Sequence, residues 1–205
     1  MFSIIQAAGW PIWPLLACSV LALAIIIDRL ISLQGKKVVP LRLYDEVLSV
    51  TRKGIPQVDV INQLEKNSAL GEVLASGLRA MNAEPLISEE DLRASMENVG
   101  RQVAHRLEHY LSALGTIASA APLMGLFGTV VGMIDIFGSQ TPGAGNPAQL
   151  AHGISIALYN TAFGLIVAIP SLIFWRYFRA QVDEYLMKLE LDADRLARHL
   201  KSLRK

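Results

Sequence analysis

No Lys or Arg occurs from Met1 to Ile27, and none occurs from Leu111 to Trp175. All 19 lie in two blocks, Arg29 to Arg106 and Arg176 to Lys205. A charge at the centre of a bilayer costs roughly 2.5 to 3.5 kcal/mol on insertion scales. Stretches this long without a cation therefore read as hydrocarbon-buried. The chain of 205 residues is 52% hydrophobic with a mean hydropathy of +0.38, too apolar for an ordinary soluble domain. Its formal net charge of +1 offers no basic excess for displacing counterions, which argues against a nucleic-acid partner.

Three spans follow. Residues 7–27 read AAGWPIWPLLACSVLALAIII, long enough to cross a core about 30 Å thick, and Asp28 and Arg29 close them. A cleaved signal peptide would need a basic segment ahead of the apolar run, and none is present. Trp10 and Trp13 fit an interfacial belt. Cys18, the single cysteine, allows no internal disulfide and reads as a small apolar filler. The second span, 111–134, is closed by Asp135 and the third, 154–175, by Arg176. Neither contains Asp, Glu, Lys, Arg or His. Both are rich in small and neutral polar residues: Gly115, Thr116, Ser119, Gly125, Gly128, Thr129 and Gly132 in one, Ser155, Asn160, Thr161 and Gly164 in the other. Such residues let helices pack closely and hydrogen-bond to each other. Residues 28–110 carry 11 Lys and Arg and the tail after Trp175 carries 8, while 1–27 and 135–153 carry none. By the positive-inside rule the N-terminus and the short loop face out, and the long segment and the C-terminus face the cytoplasm.

The charged segments read as helical. Ser88 can cap a helix whose first turn holds Glu89, Glu90 and Asp91. From there Leu92, Met96, Val99, Val103, Leu107, Tyr110 and Leu114 recur at spacings of three and four, which predicts one long helix running from the cytoplasm into the second span. In the tail, Val182, Leu186, Leu189, Ala193, Leu196, Leu200 and Leu203 form a heptad-like seam, packed either on the same chain or between subunits. Residues 36–85 read as shorter helices broken at Pro40, at Gly54-Ile55-Pro56 and at Pro85, with no Gly-rich phosphate loop. His105 and His109 share a helix face, but no third ligand is evident; a packed or solvated face is expected, with no metal and no cofactor.

The second span contains APLMGLFGTVVGM (121–133) and the third GISIALYNTAFGLIVAIP (153–170). Here the chain resembles the MotA/TolQ/ExbB proton-channel family, in its dense match to PLxGLFGTVxGM and GIxxALxxTAxGLxVAIP. The resemblance extends over essentially the whole chain, most specifically 115–178. It points to the ExbB/TolQ branch, since the flagellar stator branch is longer and has four spans. The fold implied is an all-α membrane protein with three transmembrane helices, the second and third extended into a cytoplasmic helical bundle. Its expected organisation is a periplasmic N-terminus with the first transmembrane helix (1–27), a cytoplasmic helical region (28–110), the second helix (111–134), a periplasmic loop (135–153), the third helix (154–175) and a cytoplasmic C-terminal helix (176–205).

The resemblance further implies a ring, usually a homopentamer, in the bacterial inner membrane. The ring surrounds the single spans of an ExbD/TolR-like dimer, and proton flow drives motion that a TonB- or TolA-like protein carries to the outer membrane. Membrane lipids surround it. In the family the threonines matching Thr129 and Thr161 line the pore and face the partner's carboxylate. From spacing alone, Thr129 lies five residues from Ile134 and Thr161 seven from Ile154, so both sit about 7 to 11 Å below the outer surface. Interhelical hydrogen bonding or back-bonding to helix carbonyls would also account for them. Gly125, Gly128, Gly132 and Gly164 are expected to be close-packing positions, and Asn160 a polar pore contact or an interhelical bond. Many members carry a glutamate where this chain has Ile156, so no span here holds a carboxylate; Asp135, at the outer mouth, can concentrate cations but not relay them. A passive membrane scaffold is the alternative to a motor subunit. A membrane-embedded enzyme would need ionisable or nucleophilic groups at one depth, and the spans offer only hydroxyls, Asn160 and Cys18; no catalytic residue is expected.

Overall fold

A computed structural model describes residues 10–52, 54–138 and 147–202. Every element among them is a helix: α1 (Ile12–Ser32), α2 (Gly35–Val38), α3 (Leu43–Thr51), α4 (Val58–Asn67), α5 (Ala69–Ala83), α6 (Glu89–Glu108), α7 (Leu111–Gly138) and α8 (Pro147–Ser202). The residues group into two compact units, one from Met1–Arg29 with Tyr110–Tyr177, the other from Leu30–His109 with Phe178–Lys205.

The first unit is built from most of α1, all of α7 and the first part of α8. Three helical stretches, within Ile12–Ser32, Glu89–Gly138 and Leu150–Ser202, are long and apolar enough to cross a membrane. Its core is small: Leu15, Ala121, Val167 and Ala168, with Cys18, Ile117, Met124 and Phe163 packed against them. Large apolar side chains point outward instead, among them Val20, Leu123, Leu126, Ile134, Ile166 and Ile173. That inversion suits lipid, where apolar surface needs no burial. Pro122 and Pro170 each remove one N–H from a helix interior, which membrane helices tolerate because neighbouring groups re-satisfy the freed carbonyls. Hydroxyls are absorbed locally: Thr116 donates to Ser112 O at 2.9 Å and Ser171 to Val167 O at 2.7 Å.

The second unit has a conventional apolar core. Leu43 and Val47 of α3, Ile61 of α4, Leu70, Leu74 and Leu78 of α5, and Leu92, Met96 and Val103 of α6 meet Leu189, Leu196 and Leu200 of α8. The tail seam therefore packs on its own chain; Leu203 lies outside the described residues. The Ser68 hydroxyl accepts from Gly71 N at 3.1 Å and starts α5. The Ser88 hydroxyl accepts from Asp91 N at 3.0 Å and starts α6, with its acids on the positive end of the dipole. Three of the breaks between α2 and α6 fall at Pro40, 54–56 and Pro85, the expected positions; a fourth, at Ser68 between α4 and α5, has neither Pro nor Gly and is made by the extended Ser68 that caps α5. The His105 and His109 rings lie 6.5 Å apart, and no cluster of three potential metal ligands occurs among the described residues.

One expectation is corrected. The stripe from Leu92 to Leu114 does not form a single helix: α6 ends at Glu108 and α7 starts at Leu111. His109 takes extended backbone angles (ψ 138°) and Tyr110 has φ 64°, a left-handed conformation that a bulky residue adopts only under tertiary constraint. A candidate constraint is the Arg29 guanidinium, 5.5 Å from the centre of the Tyr110 ring.

Gly100 sits inside α6 with nothing within 4 Å of an added Cβ. Gly100→Ala is expected to stabilise the second unit by about 0.5–1 kcal/mol, because glycine loses more backbone entropy on entering a helix. A higher unfolding midpoint in detergent would register it.

Candidate functional site

The residues singled out in the second and third spans meet between α7 and α8, all inside the first unit. Glycine makes this possible. A Cβ on Gly125 would lie 2.7 Å from Asn160 O and 3.0 Å from Thr161 Cα; one on Gly164 would lie 2.6 Å from Ala121 O and 3.1 Å from Gly125 Cα. Backbone touches backbone along this seam, and any side chain would have to part the helices. At Gly128 the neighbour is the Asn160 side chain, with its Cβ at 2.9 Å, and at Gly132 it is Ala157 Cβ at 3.1 Å.

The close approach brings Thr129 Oγ1 within 2.5 Å of Thr161 Oγ1. Thr129 Oγ1 also lies 3.1 Å from Gly125 O of its own helix and 3.3 Å from Ala157 O of α8. Carbonyls only accept, so when the Thr129 hydroxyl donates to one of them the Thr161 hydroxyl donates to Thr129; with the Thr129 proton turned to Thr161 the bond reverses, and either hydroxyl can be the donor. Both threonines are half-buried. Within one chain, cross-helix bonding and back-bonding are thus both present at Thr129. Asn160, one residue before Thr161, is 1% exposed and lies against Gly128 rather than in the open.

Beside the pair a cleft of about 200 Å³ is lined by Trp10, Asp135, Ile136, Ile156, Ala157 and Asn160, among others. The Trp10 ring packs edge-on against Phe127, 6.0 Å between centres. At the far end of α1, Arg29 is 8% exposed and donates from Nε (3.0 Å) and Nη2 (2.7 Å) to Asp28. A cation stacked on an aromatic ring in such partial burial contributes about 0.5–2 kcal/mol. The sequence marks Asp28 and Arg29 only as the close of a span; the contact of Arg29 with Tyr110, 81 positions on, has no local signal.

A model of the MotA/TolQ/ExbB proton channel family matches residues 65–191, which include the whole α7–α8 seam. A putative biopolymer transport protein, ExbB-like 3 of Synechocystis, is 32% identical over 180 residues, spanning 85% of this chain and 83% of that protein. The chain belongs to the MotA/TolQ/ExbB proton channel family. Within it, biopolymer transport protein exbB1 of Vibrio cholerae is 29% identical over 188 residues, 90% of this chain and 82% of its own length. The Tol-Pal system protein TolQ of Pseudomonas aeruginosa is 31% identical over 138 residues, 63% and 60%. These relatives set the chain in the ExbB/TolQ branch of the family, in agreement with the motif resemblance. Its three apolar helices are those of a membrane protein of this family.

Proposed function

We propose that the chain is an ExbB/TolQ-like subunit of a motor driven by the proton motive force in the bacterial inner membrane. It energises a TonB- or TolA-like protein for outer-membrane transport or envelope maintenance, and it is not an enzyme. The N-terminus is periplasmic and the C-terminus cytoplasmic, in keeping with the cation distribution. Copies assemble as a ring, in the family usually five, around an ExbD/TolR-like single-span partner, with membrane lipids outside. Thr129 and Thr161 line the ring's pore, Asn160 lies beside them, and Gly125, Gly128, Gly132 and Gly164 hold the two helices in register.

The observation that carries this reading is the 2.5 Å hydroxyl pair. It joins α7 to α8 at one depth, in spans without an ionisable group, where a partner's carboxyl would find a fixed hydrogen-bonding surface. The double variant Thr129→Val, Thr161→Val keeps the shape and removes both hydroxyls. Stability is expected to fall by only about 1 kcal/mol, the net worth of an ordinary hydrogen bond, while partner-dependent energy transduction is lost. Full transduction by the double variant would reduce the pair to a helix fastener and favour a passive scaffold.

A further inference from the structure

The cleft beside the threonine pair has a polar group at each end. Asp135 is exposed and Asn160 is 1% exposed. Between them the lining is Val131, Ile136, Ile156 and Ala157, with Trp10 and Pro11 from the turn just ahead of α1. A volume of about 200 Å³ is room for several waters at roughly 30 Å³ each. A carboxylate at the mouth and a carboxamide at the closed end supply the polar partners that buried water requires. Asp135 is the one carboxylate in residues 111–175, and no Lys or Arg lies there to neutralise it. A lone negative charge at the mouth of a low-dielectric cleft focuses its field and draws in cations. Asn160 and Gly128, at the closed end, each directly precede a member of the hydroxyl pair.

We propose that this cleft is a water-filled inlet for hydrated protons, with Asp135 collecting them and Asn160 ordering the water that leads to Thr129 and Thr161. The inlet runs inside one subunit, between α7, α8 and the turn just ahead of α1. It deepens the motor reading and rests on it for its purpose, though its existence is tested without it.

The test uses the full chain in native membranes with Cys18→Ala and His152→Gln, which remove the native thiol and the exposed imidazole beside Gly153. A cysteine is placed in the lining as Ile156→Cys or, separately, Val131→Cys. Labelling is followed with a cationic reagent, trimethylammonioethyl methanethiosulfonate, and with its anionic sulfonatoethyl counterpart. The cationic reagent is expected to react about tenfold faster, relative to the two reagents' rates on a free thiol, the low end of electrostatic focusing. Asp135→Asn is expected to remove that preference. No reaction at either cysteine, or equal relative rates with Asp135 present, overturns the inlet. Labelling needs neither partner nor proton motive force. A charge-selective cleft in a complex that transduces no energy would therefore sink the motor reading alone, and an unreactive cleft in a working complex would sink the inlet alone.

Discussion

Gly164→Ala will part α7 from α8 and destabilise the first unit by about 1–3 kcal/mol, the usual cost of forcing extra volume into a packed interface. The added methyl would lie 2.6 Å from Ala121 O. A carbonyl in a helix cannot swing aside as a flexible side chain does, so the helices must separate. Gly125→Ala carries a comparable cost against Asn160 O at 2.7 Å. Because the two glycines face each other, the double variant should cost less than the sum: once parted, the helices admit the second methyl more cheaply. Separation also stretches the Thr129–Thr161 contact, so partner-dependent proton flux is expected to fall toward background in either single variant. The unfolding midpoint in detergent and flux in liposomes report the two effects. Gly100→Ala on α6, expected to stabilise, is the internal control. An unchanged midpoint for Gly164→Ala would mean that the seam is not as tight as its atoms stand.

The largest effect expected is the absence of any specific proton flux when the purified chain is reconstituted alone. Relay through hydrocarbon needs a titratable group or a continuous water chain, and intramembrane carboxylates are the usual relay. Residues 7–27, 111–134 and 154–175 contain no Asp, Glu, His, Lys or Arg. Hydroxyls and carboxamides order water but do not titrate near neutrality. On the proposed division of labour, flux appears when an ExbD/TolR-like partner supplies a membrane aspartate, and disappears when that aspartate is changed to Asn. Each proton then delivers about 2.3 kcal/mol per 100 mV. Robust flux from the chain alone, or undiminished flux with the Asn partner, would refute this arrangement.

The parts of the fold legible in the sequence were those written in local pattern. Charge exclusion marks the three apolar helices, and Ser88 with its acids marks the start of α6. Pro40, 54–56 and Pro85 mark three breaks in the second unit, while the one at Ser68, with no Pro or Gly, was not marked. The seam of the tail was visible as a period, but periodicity shows that a face is buried without showing what covers it. Only the contact of Leu189, Leu196 and Leu200 with α3, α5 and α6 settles that the cover is the same chain. The break at Tyr110 was invisible for a related reason: neither Gly nor Pro stands at 109–110, and the apolar spacing passes through undisturbed. A left-handed tyrosine reflects distant partners, among which Arg29 lies over the ring, and no window of sequence contains both. The glycine spacing on α7 was legible as a packing face. That Asn160 faces Gly128, and that Ile156 and Asp135 share a cleft, needed the register of two helices.

The threonine pair can take a polarity. When the Thr129 proton goes to a backbone carbonyl, the Thr161 proton goes to Thr129, and the pair has only lone pairs left to offer a newcomer. A surface that can only accept receives a carboxylic acid, which brings its own O–H, and repels a carboxylate, which brings none. With no charge of its own, the seam would tell the two protonation states of an approaching acid apart, holding the loaded form and releasing the empty one.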